Sequence, residues 1–176
     1  GCRYAFTEMV DAGSLVFGNH KTNSLLIARD PSEEFLGIQL VGSEHDILAK
    51  AAQIVNQHHF DVLDFNLGCP APKVAKKGEG ATFAVKRPDE AVRAFEVLVK
   101  NSNIPVTAKT RIASETDPEP TVKFCLALQN AGAQAITIHG RLMKNFYSGP
   151  VFTGIIREIR RTLTIPVIAN GGIMTQ

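Results

Sequence analysis

The sequence lacks most of the features that would assign it to a specialised class of protein. It has no Trp, two Tyr and three Cys in 176 residues, and no CxxC pair. An odd number of cysteines without metal-ligand spacing argues against a disulfide framework or a zinc site and favours a reducing compartment. No apolar run reaches the roughly 18 residues of a membrane span, and the N-terminus lacks the apolar core of a signal peptide. The sequence therefore predicts a cytoplasmic protein without a membrane anchor or a bound metal.

The charge balance is close to neutral, which limits what can be inferred about partners. Hydrophobic residues make up 44% of the chain and charged residues 20%, with a net charge of +2 and a pI of about 8.5. This composition is typical of a globular protein, and the length fits one domain or most of one. Any attraction to nucleic acid must come from local basic patches.

Short apolar runs alternate along the chain with amphipathic stretches of about 10 to 15 residues. The sequence predicts six strands, at residues 4–7, 35–41, 62–66, 104–109, 135–139 and 165–169. Apolar residues recur at helical spacing within 47–55, 91–98, 122–128 and 155–159, which predicts helices there. Such alternation is typical of parallel βα units.

The residues that end the strands help to distinguish two folds, an open doubly wound sheet and a (β/α)8 barrel. Polar or reactive groups follow nearly every strand: Thr7 and Glu8, Gln39, Asn66 with Cys69, Lys109 with Arg111, His139 with Arg141, and Asn170 before Gly171 and Gly172. In a barrel these ends meet at one mouth, where active sites lie, whereas an open sheet spreads them along an edge. We therefore expect an α/β fold of the TIM-barrel type, incomplete because six strands cannot close an eight-stranded barrel.

Five motifs then carry a resemblance to a known family, in that family's order and over nearly the whole chain. They are TEM at 7–9, NLGCP at 66–70 with KV at 73–74 and GEGA at 78–81, AKTR at 108–111, IHGR at 138–141 and IPVIANGG at 165–172. In these motifs the chain resembles the tRNA-dihydrouridine synthases. The resemblance implies an FMN-binding TIM barrel followed by a helical domain. Residues 1–176 would then be a partial catalytic barrel domain, without the first strand, the last strand and the helical domain.

The resemblance also implies an activity, the reduction of uridine to 5,6-dihydrouridine in tRNA with FMN as cofactor and NADPH as reductant. Saturating the C5=C6 bond requires a hydride from the flavin and a proton from a side chain. A thiol is ordinarily protonated at neutral pH and can act as the acid. Cys69, between Gly68 and Pro70, matches the family's proton donor; the alternative is an inert buried cysteine. Cys125, on an apolar helical face, is expected in the core.

Three side chains match residues that contact the flavin in this family: Gln39, Lys109 and His139. A cation or an N–H donor can stabilise the negative charge of a reduced flavin near N1 and C2=O. Alternatively, Lys109 is a salt-bridged strand end, His139 a satisfied core histidine and Gln39 a strand cap.

The segment Asn170, Gly171 and Gly172 follows the strand that corresponds to the family's seventh. Its backbone N–H groups could hold the FMN phosphate, a role often taken by the last βα loops of a barrel. Gly172 stands where the family more often has Asp, so that side-chain contact is absent here.

Asn66, Arg111 and Arg141 are the predicted substrate-binding residues. An amide can match the edge of uracil, and a guanidinium can bind its carbonyl or a phosphate, although Arg111 could instead pair with Glu115 or Asp117. Basic residues near the predicted mouth could contact the phosphates flanking a flipped-out base, or could form an ordinary solvated surface. They are Lys73, Lys76, Lys77, Lys86, Arg87, Arg141 and Lys144.

Two other functions remain open from the sequence. An FMN barrel that acts on a free pyrimidine, similar to dihydroorotate or dihydropyrimidine dehydrogenase, has a comparable loop, but Gly68 and Ala71 replace its Ser and Asn. A non-catalytic RNA-binding barrel is the other alternative, and the presence of Cys69, Lys109 and His139 argues against it. Activity that requires a polynucleotide would separate the three.

Overall fold

A computed structural model describes residues 3–18, 27–30 and 32–173, and it shows strands and helices in alternation. The strands are β1 (Tyr4–Asp11), β2 (Phe35–Val41), β3 (Val62–Leu67), β4 (Val106–Arg111), β5 (Ile136–His139) and β6 (Val167–Asn170). The α-helices are α1 (Ala12–Phe17), α2 (His45–Val55), α3 (Pro72–Lys76), α4 (Ala81–Lys86), α5 (Pro88–Asn101), α6 (Glu119–Asn130) and α7 (Thr153–Thr162), with a 3-10 turn at Met143–Asn145.

The six strands form one parallel sheet whose spatial order is the chain order, β1-β2-β3-β4-β5-β6. A doubly wound sheet reverses its strand order at a switch point, and this sheet does not. The sheet is therefore the arc of a TIM barrel that is open between β1 and β6. This confirms the predicted incomplete barrel and excludes the open doubly wound sheet.

The hydrophobic core lies between the outer face of the arc and the helices. In α2, the fully buried residues Leu48, Ala51, Ala52 and Val55 follow the helical spacing that the sequence shows. Cys125 of α6 is completely buried in the same cluster, and burial raises the pKa of its thiol to about 12. The prediction that Cys125 is a core residue is confirmed.

Some predicted boundaries were wrong, for identifiable reasons. β4 and β6 begin after Pro105 and Pro166, which have no N–H to donate to the sheet, although their carbonyls accept from neighbouring strands. β1 continues past a register shift between Phe6 and Met9 and ends at Asp11. Thr7 and Glu8 therefore lie within the strand rather than at its carboxyl end.

The short helices α1, α3 and α4 and the 3-10 turn were not predicted. Each has six residues or fewer, too short for a periodic pattern to show. Helices α3 and α4 follow the turn that contains Cys69, so most of residues 72–86 are helical.

Candidate active site

Cys69 lies in the loop that follows β3, and the side chain of Asn66 holds the backbone of this loop. The N–H groups of Gly68 and Cys69 donate to Asn66 Oδ1 over 3.1 and 2.8 Å. Asn66 is buried at the end of the strand, whereas Cys69 is partly exposed. One amide oxygen thus orders the turn that presents the thiol.

Gly80, in the turn before α4, packs directly on Cys69. It has a φ of +58°, and a Cβ there would lie 2.8 Å from the Cys69 carbonyl oxygen. The next residue, Ala81, donates its N–H to the same oxygen over 3.0 Å. Glycine is required here both for the positive φ and for the close approach, and the two contacts connect the GEGA motif to the cysteine.

A chain of side-chain hydrogen bonds runs across the inner face of the sheet below the cysteine loop. Thr107 Oγ1 and Gln39 Nε2 each donate to the carboxylate of Asp64 over 2.7 Å. Gln39 Oε1 in turn accepts from Asn66 Nδ2 over 2.7 Å. Burial raises the pKa of Asp64, while these hydrogen bonds and the positive charge of Lys109 oppose the shift.

Asp64 was missed by sequence reasoning, although a signal was present. It lies two residues before Asn66 in β3 and so points to the same face of the sheet. A carboxylate at that position in an otherwise apolar strand requires polar partners, which Gln39 and Thr107 provide from the adjacent strands.

Lys109 lies beside Asn66 in the register of β3 and β4. Burial lowers the pKa of its ammonium group, and the negative charge of Asp64 opposes this. Lys109 and Arg111 both interact electrostatically with Cys69. The structure therefore brings Cys69, the predicted acid, close to Lys109, a predicted flavin contact, at the carboxyl ends of β3 and β4. The hydrogen-bonded amides of Asn66 and Gln39 lie in the same place.

Arg111, at the end of β4, connects two loops. Its Nε donates to the carbonyl of Gly68 over 2.7 Å, and its Nη1 donates to the carbonyls of Phe146 and Leu142 over 2.7 and 3.3 Å. Its guanidinium carbon also lies 5.7 Å from the centre of the Tyr147 ring. No ion pair of Arg111 with an acid occurs in the described part of the chain, so the alternative role, a pairing with Glu115 or Asp117, is not found there.

His139, at the end of β5, is buried among positive charges. Burial, followed by the charges of Arg111, Lys109 and Arg141, lowers its pKa to about 4. Arg141 Nη1 lies 3.2 Å from His139 Nε2, and because a guanidinium only donates, Nε2 is the acceptor. His139 is therefore a neutral imidazole at neutral pH that carries its proton on Nδ1.

The glycines after β6 pack against this pair. Gly171 has a φ of +105°, and a Cβ there would lie 2.6 Å from His139 Cδ2. Gly172 has a φ of +67° and faces Arg141 and Val151. The backbone of Gly171 approaches the imidazole so closely that a side chain would not fit there. Because neither Gly171 nor Gly172 has a side chain, this part of the mouth is lined by backbone.

The model of the family described as "Dihydrouridine synthase (Dus)" matches residues 2–176. The chain belongs to the dihydrouridine synthase family. A probable tRNA-dihydrouridine synthase 1 from Synechocystis sp. is 36% identical over 97% of this chain and 47% of its own length. The tRNA-dihydrouridine synthase B of Pasteurella multocida is 32% identical over 98% of this chain and 52% of its own length. The chain thus spans about half the length of these relatives.

A solved structure supports the fold independently. The crystal structure of a phosphonopyruvate hydrolase with oxalate and Mg²⁺ matches 94% of this chain and 66% of its own, with a TM-score of 0.65. At 10% sequence identity this likeness concerns the fold alone. It agrees with the barrel arc.

The basic residues around the mouth of this dihydrouridine synthase barrel fall into two groups. Lys77 pairs with Asp11 over 2.5 Å, and Arg87 pairs with Glu90 over 3.0 Å. No ion pair within residues 3–18, 27–30 and 32–173 involves the remaining lysines of the predicted patch, which are Lys73, Lys76, Lys86 and Lys144.

The described residues contain neither a candidate metal site nor a candidate membrane span. Among the described residues, no group of three or more His, Cys, Asp or Glu could hold a metal ion. No helix of the described part is long and apolar enough to span a bilayer.

Proposed function

We propose that the protein is a tRNA-dihydrouridine synthase that reduces uridine to 5,6-dihydrouridine in tRNA, with FMN as cofactor and NADPH as reductant. The observation that carries this proposal is the position of Cys69, which is held at the mouth of the barrel arc beside Lys109 and Arg111. The names of the relatives support tRNA as the substrate.

The side chains around the mouth suit an anionic cofactor such as FMN. None of the ion pairs among the described residues involves Lys109, Arg111 or Arg141, and Asp64 is the acid that interacts with this cluster through Lys109. A surplus of positive charge in a partly buried site favours a ligand with negative charge. We assign the contacts of the ring system to Gln39, Lys109 and His139, and those of the phosphate to the Asn170–Gly172 segment.

Cys69 supplies the proton in the proposed reaction. When bound by the residues assigned above, reduced FMN would supply the hydride for one carbon of the uracil C5=C6 bond. The thiol of Cys69 gives its proton to the other carbon, and the sulfur is left as a thiolate. Lys109 and Arg111 stabilise that negative charge because both interact electrostatically with Cys69.

The geometry restricts how Asn66 and Arg111 could contact uracil. Asn66 uses its oxygen for the cysteine loop and one N–H for Gln39, which leaves one N–H for a uracil carbonyl. Arg111 uses Nε and Nη1 for backbone carbonyls and offers Nη2. We assign Arg141 to substrate phosphate, together with the unpaired lysines.

The test of the proposed function uses the full-length protein with NADPH and unmodified tRNA, and separately with free uracil and orotate. We expect dihydrouridine to form in tRNA and the free bases to remain unreduced. Reduction of a free base without activity on tRNA would identify a free-pyrimidine reductase. Binding of tRNA without any reduction would identify a non-catalytic RNA-binding barrel.

A further inference from the structure

The hydrogen-bond chain from Asp64 to the cysteine loop has a defined polarity. We define it as the amide relay, formed by Asp64, Gln39 and Asn66. Asp64 lies at one end and accepts from Gln39. The N–H groups of Gly68 and Cys69 lie at the other end and can only donate. Each amide side chain between these ends has a donor and an acceptor, so each can satisfy both neighbours in one orientation only.

Reversing either amide would place like groups against each other. If Gln39 turned over, its oxygen would face the Asp64 carboxylate, and its nitrogen would face Asn66 Nδ2. If Asn66 turned over, two backbone donors would face its nitrogen. Asp64 is 3% exposed and Asn66 is 8% exposed, so little water is available to replace a lost partner.

We propose that Asp64 is a positioning residue that fixes the orientation of the Gln39 and Asn66 amides and, through them, the backbone that presents the Cys69 thiol. This role rests on the proposed function of Cys69 as the proton donor. Asp64 acts as the terminal acceptor of the relay, and it needs no contact with cofactor or substrate to affect proton transfer.

A second route from Asp64 to the chemistry has to be separated from the relay. The negative charge of Asp64 also opposes the burial-induced lowering of the Lys109 pKa. Removing that charge could therefore change the reaction through Lys109 alone. Hydrogen exchange at the Gly68 and Cys69 amides reports on the relay and does not depend on the charge of Lys109.

The experiment compares variants of the full-length, FMN-loaded protein. Asp64→Leu has a similar shape but removes the acceptor. Asp64→Asn keeps an oxygen for Gln39, because the Thr107 hydroxyl can accept the extra N–H. Thr107→Val is the matched control, since it removes a hydrogen bond from the same carboxylate without interrupting the relay.

We expect Asp64→Leu to increase exchange at the Gly68 and Cys69 amides and to lower kcat, each by about tenfold, with the KM for tRNA changed less than about threefold. Asp64→Asn and Thr107→Val should leave both quantities within about threefold of wild type. An unchanged exchange rate in Asp64→Leu would overturn the proposal. If that variant does not fold, Gln39→Leu interrupts the relay at its next link. Because Gln39 is also assigned to the flavin, exchange at the Gly68 and Cys69 amides then decides alone: increased exchange supports the relay and unchanged exchange overturns it.

The Asn66→Ala background distinguishes the relay from the Lys109 route. If Asp64 acts through the relay, adding Asp64→Leu to Asn66→Ala should lower kcat by less than about twofold more. A full further loss would show that Asp64 acts through Lys109 and would overturn the positioning role. The exchange measurement needs no tRNA, so it also decides the relay if the wild-type protein forms no dihydrouridine.

Discussion

At the scale of the residue, the charge of His139 follows from its neighbours. Burial and the cations Arg111, Lys109 and Arg141 lower its pKa to about 4. We expect an NMR titration of the imidazole to show a midpoint near that value, and Arg141→Gln to raise it by removing one of the three charges. A wild-type midpoint at or above the ordinary value of about 6.5 would contradict the neutral imidazole.

The same shift gives a pH dependence of stability. Because the folded state lowers the His139 pKa, its contribution to the free energy of unfolding is fully present above the unfolded pKa of about 6.5. The contribution is lost as the pH falls from there through about 4. The His139→Gln variant has no imidazole to protonate, so its free energy of unfolding should fall less than that of the wild type between about pH 6.5 and about 4.

Gly80 provides a prediction about the cysteine loop. An alanine there would need a φ of +58° and would place its Cβ 2.8 Å from the Cys69 carbonyl oxygen. We expect Gly80→Ala to lower the free energy of unfolding by about 1 kcal/mol or more in chemical denaturation. We also expect a changed alkylation rate at Cys69.

The matched control for Gly80→Ala is Gly154→Ala. Gly154 lies in α7, has no positive φ, and a Cβ there would have no neighbour within 4 Å. That variant should be neutral or slightly stabilising. Equal effects of the two substitutions would show that the contact with Cys69 is not important.

Sequence reasoning located the polar residues of the mouth better than their hydrogen-bond partners. Cys69, Lys109 and His139 could be found because each lies at or just after the end of an apolar strand. The partners of Arg111 could not, because Leu142 and Phe146 lie more than thirty positions along the chain. Asp64 was overlooked because it lies inside a strand rather than at its end.

At the scale of the element, Arg111 joins the cysteine loop to the loop between β5 and α7. Phe146, whose carbonyl it binds, is the non-glycine residue with a positive φ, +49°, among the described residues. Such a conformation is retained only where surrounding contacts hold it. The guanidinium thus acts as a clamp between two segments of the mouth.

We expect Arg111→Lys and Arg111→Met both to increase hydrogen exchange in residues 142–147, by about tenfold. Lysine should not restore slow exchange, because a single ammonium group cannot donate to the Gly68 carbonyl and to the carbonyls of Leu142 and Phe146 at the same time, as the guanidinium does. Arg157→Met, at an exposed position of α7, is the control. If residues 142–147 exchange as slowly in Arg111→Lys as in the wild type, a positive charge at position 111 is sufficient to hold this loop, and the clamp by the guanidinium fork is contradicted.

All six strands and the four longer helices could be predicted from the sequence because each has enough residues to show its period. The short helices α3 and α4 could not, since they depend on tertiary contacts such as Gly80 against Cys69. The starts of β4 and β6 were placed too early because apolar Ile104 and Ile165 continue the pattern past the prolines.

At the scale of the whole molecule, the arc leaves apolar inner-face residues accessible at its two edge strands. Tyr4 and Phe6 of β1 are 47% and 41% exposed, and Ile168 of β6 is 48% exposed. Edge strands with exposed apolar residues favour association and weaken an enclosed site. We expect residues 1–176 alone to retain FMN weakly, and a purified preparation with a stoichiometric flavin spectrum would contradict this.

The central claim, that the Cys69 thiol is the proton donor of a tRNA uridine reductase, is tested by comparing two cysteine variants of the full-length protein. Cys69→Ala and Cys125→Ala remove the same group, one at the mouth and one in the core. Dihydrouridine formed in unmodified tRNA with NADPH is measured with the flavin content of each variant. We predict that Cys69→Ala keeps its flavin but loses about 100-fold or more in turnover, whereas Cys125→Ala keeps both. Wild-type turnover in Cys69→Ala would contradict the claim.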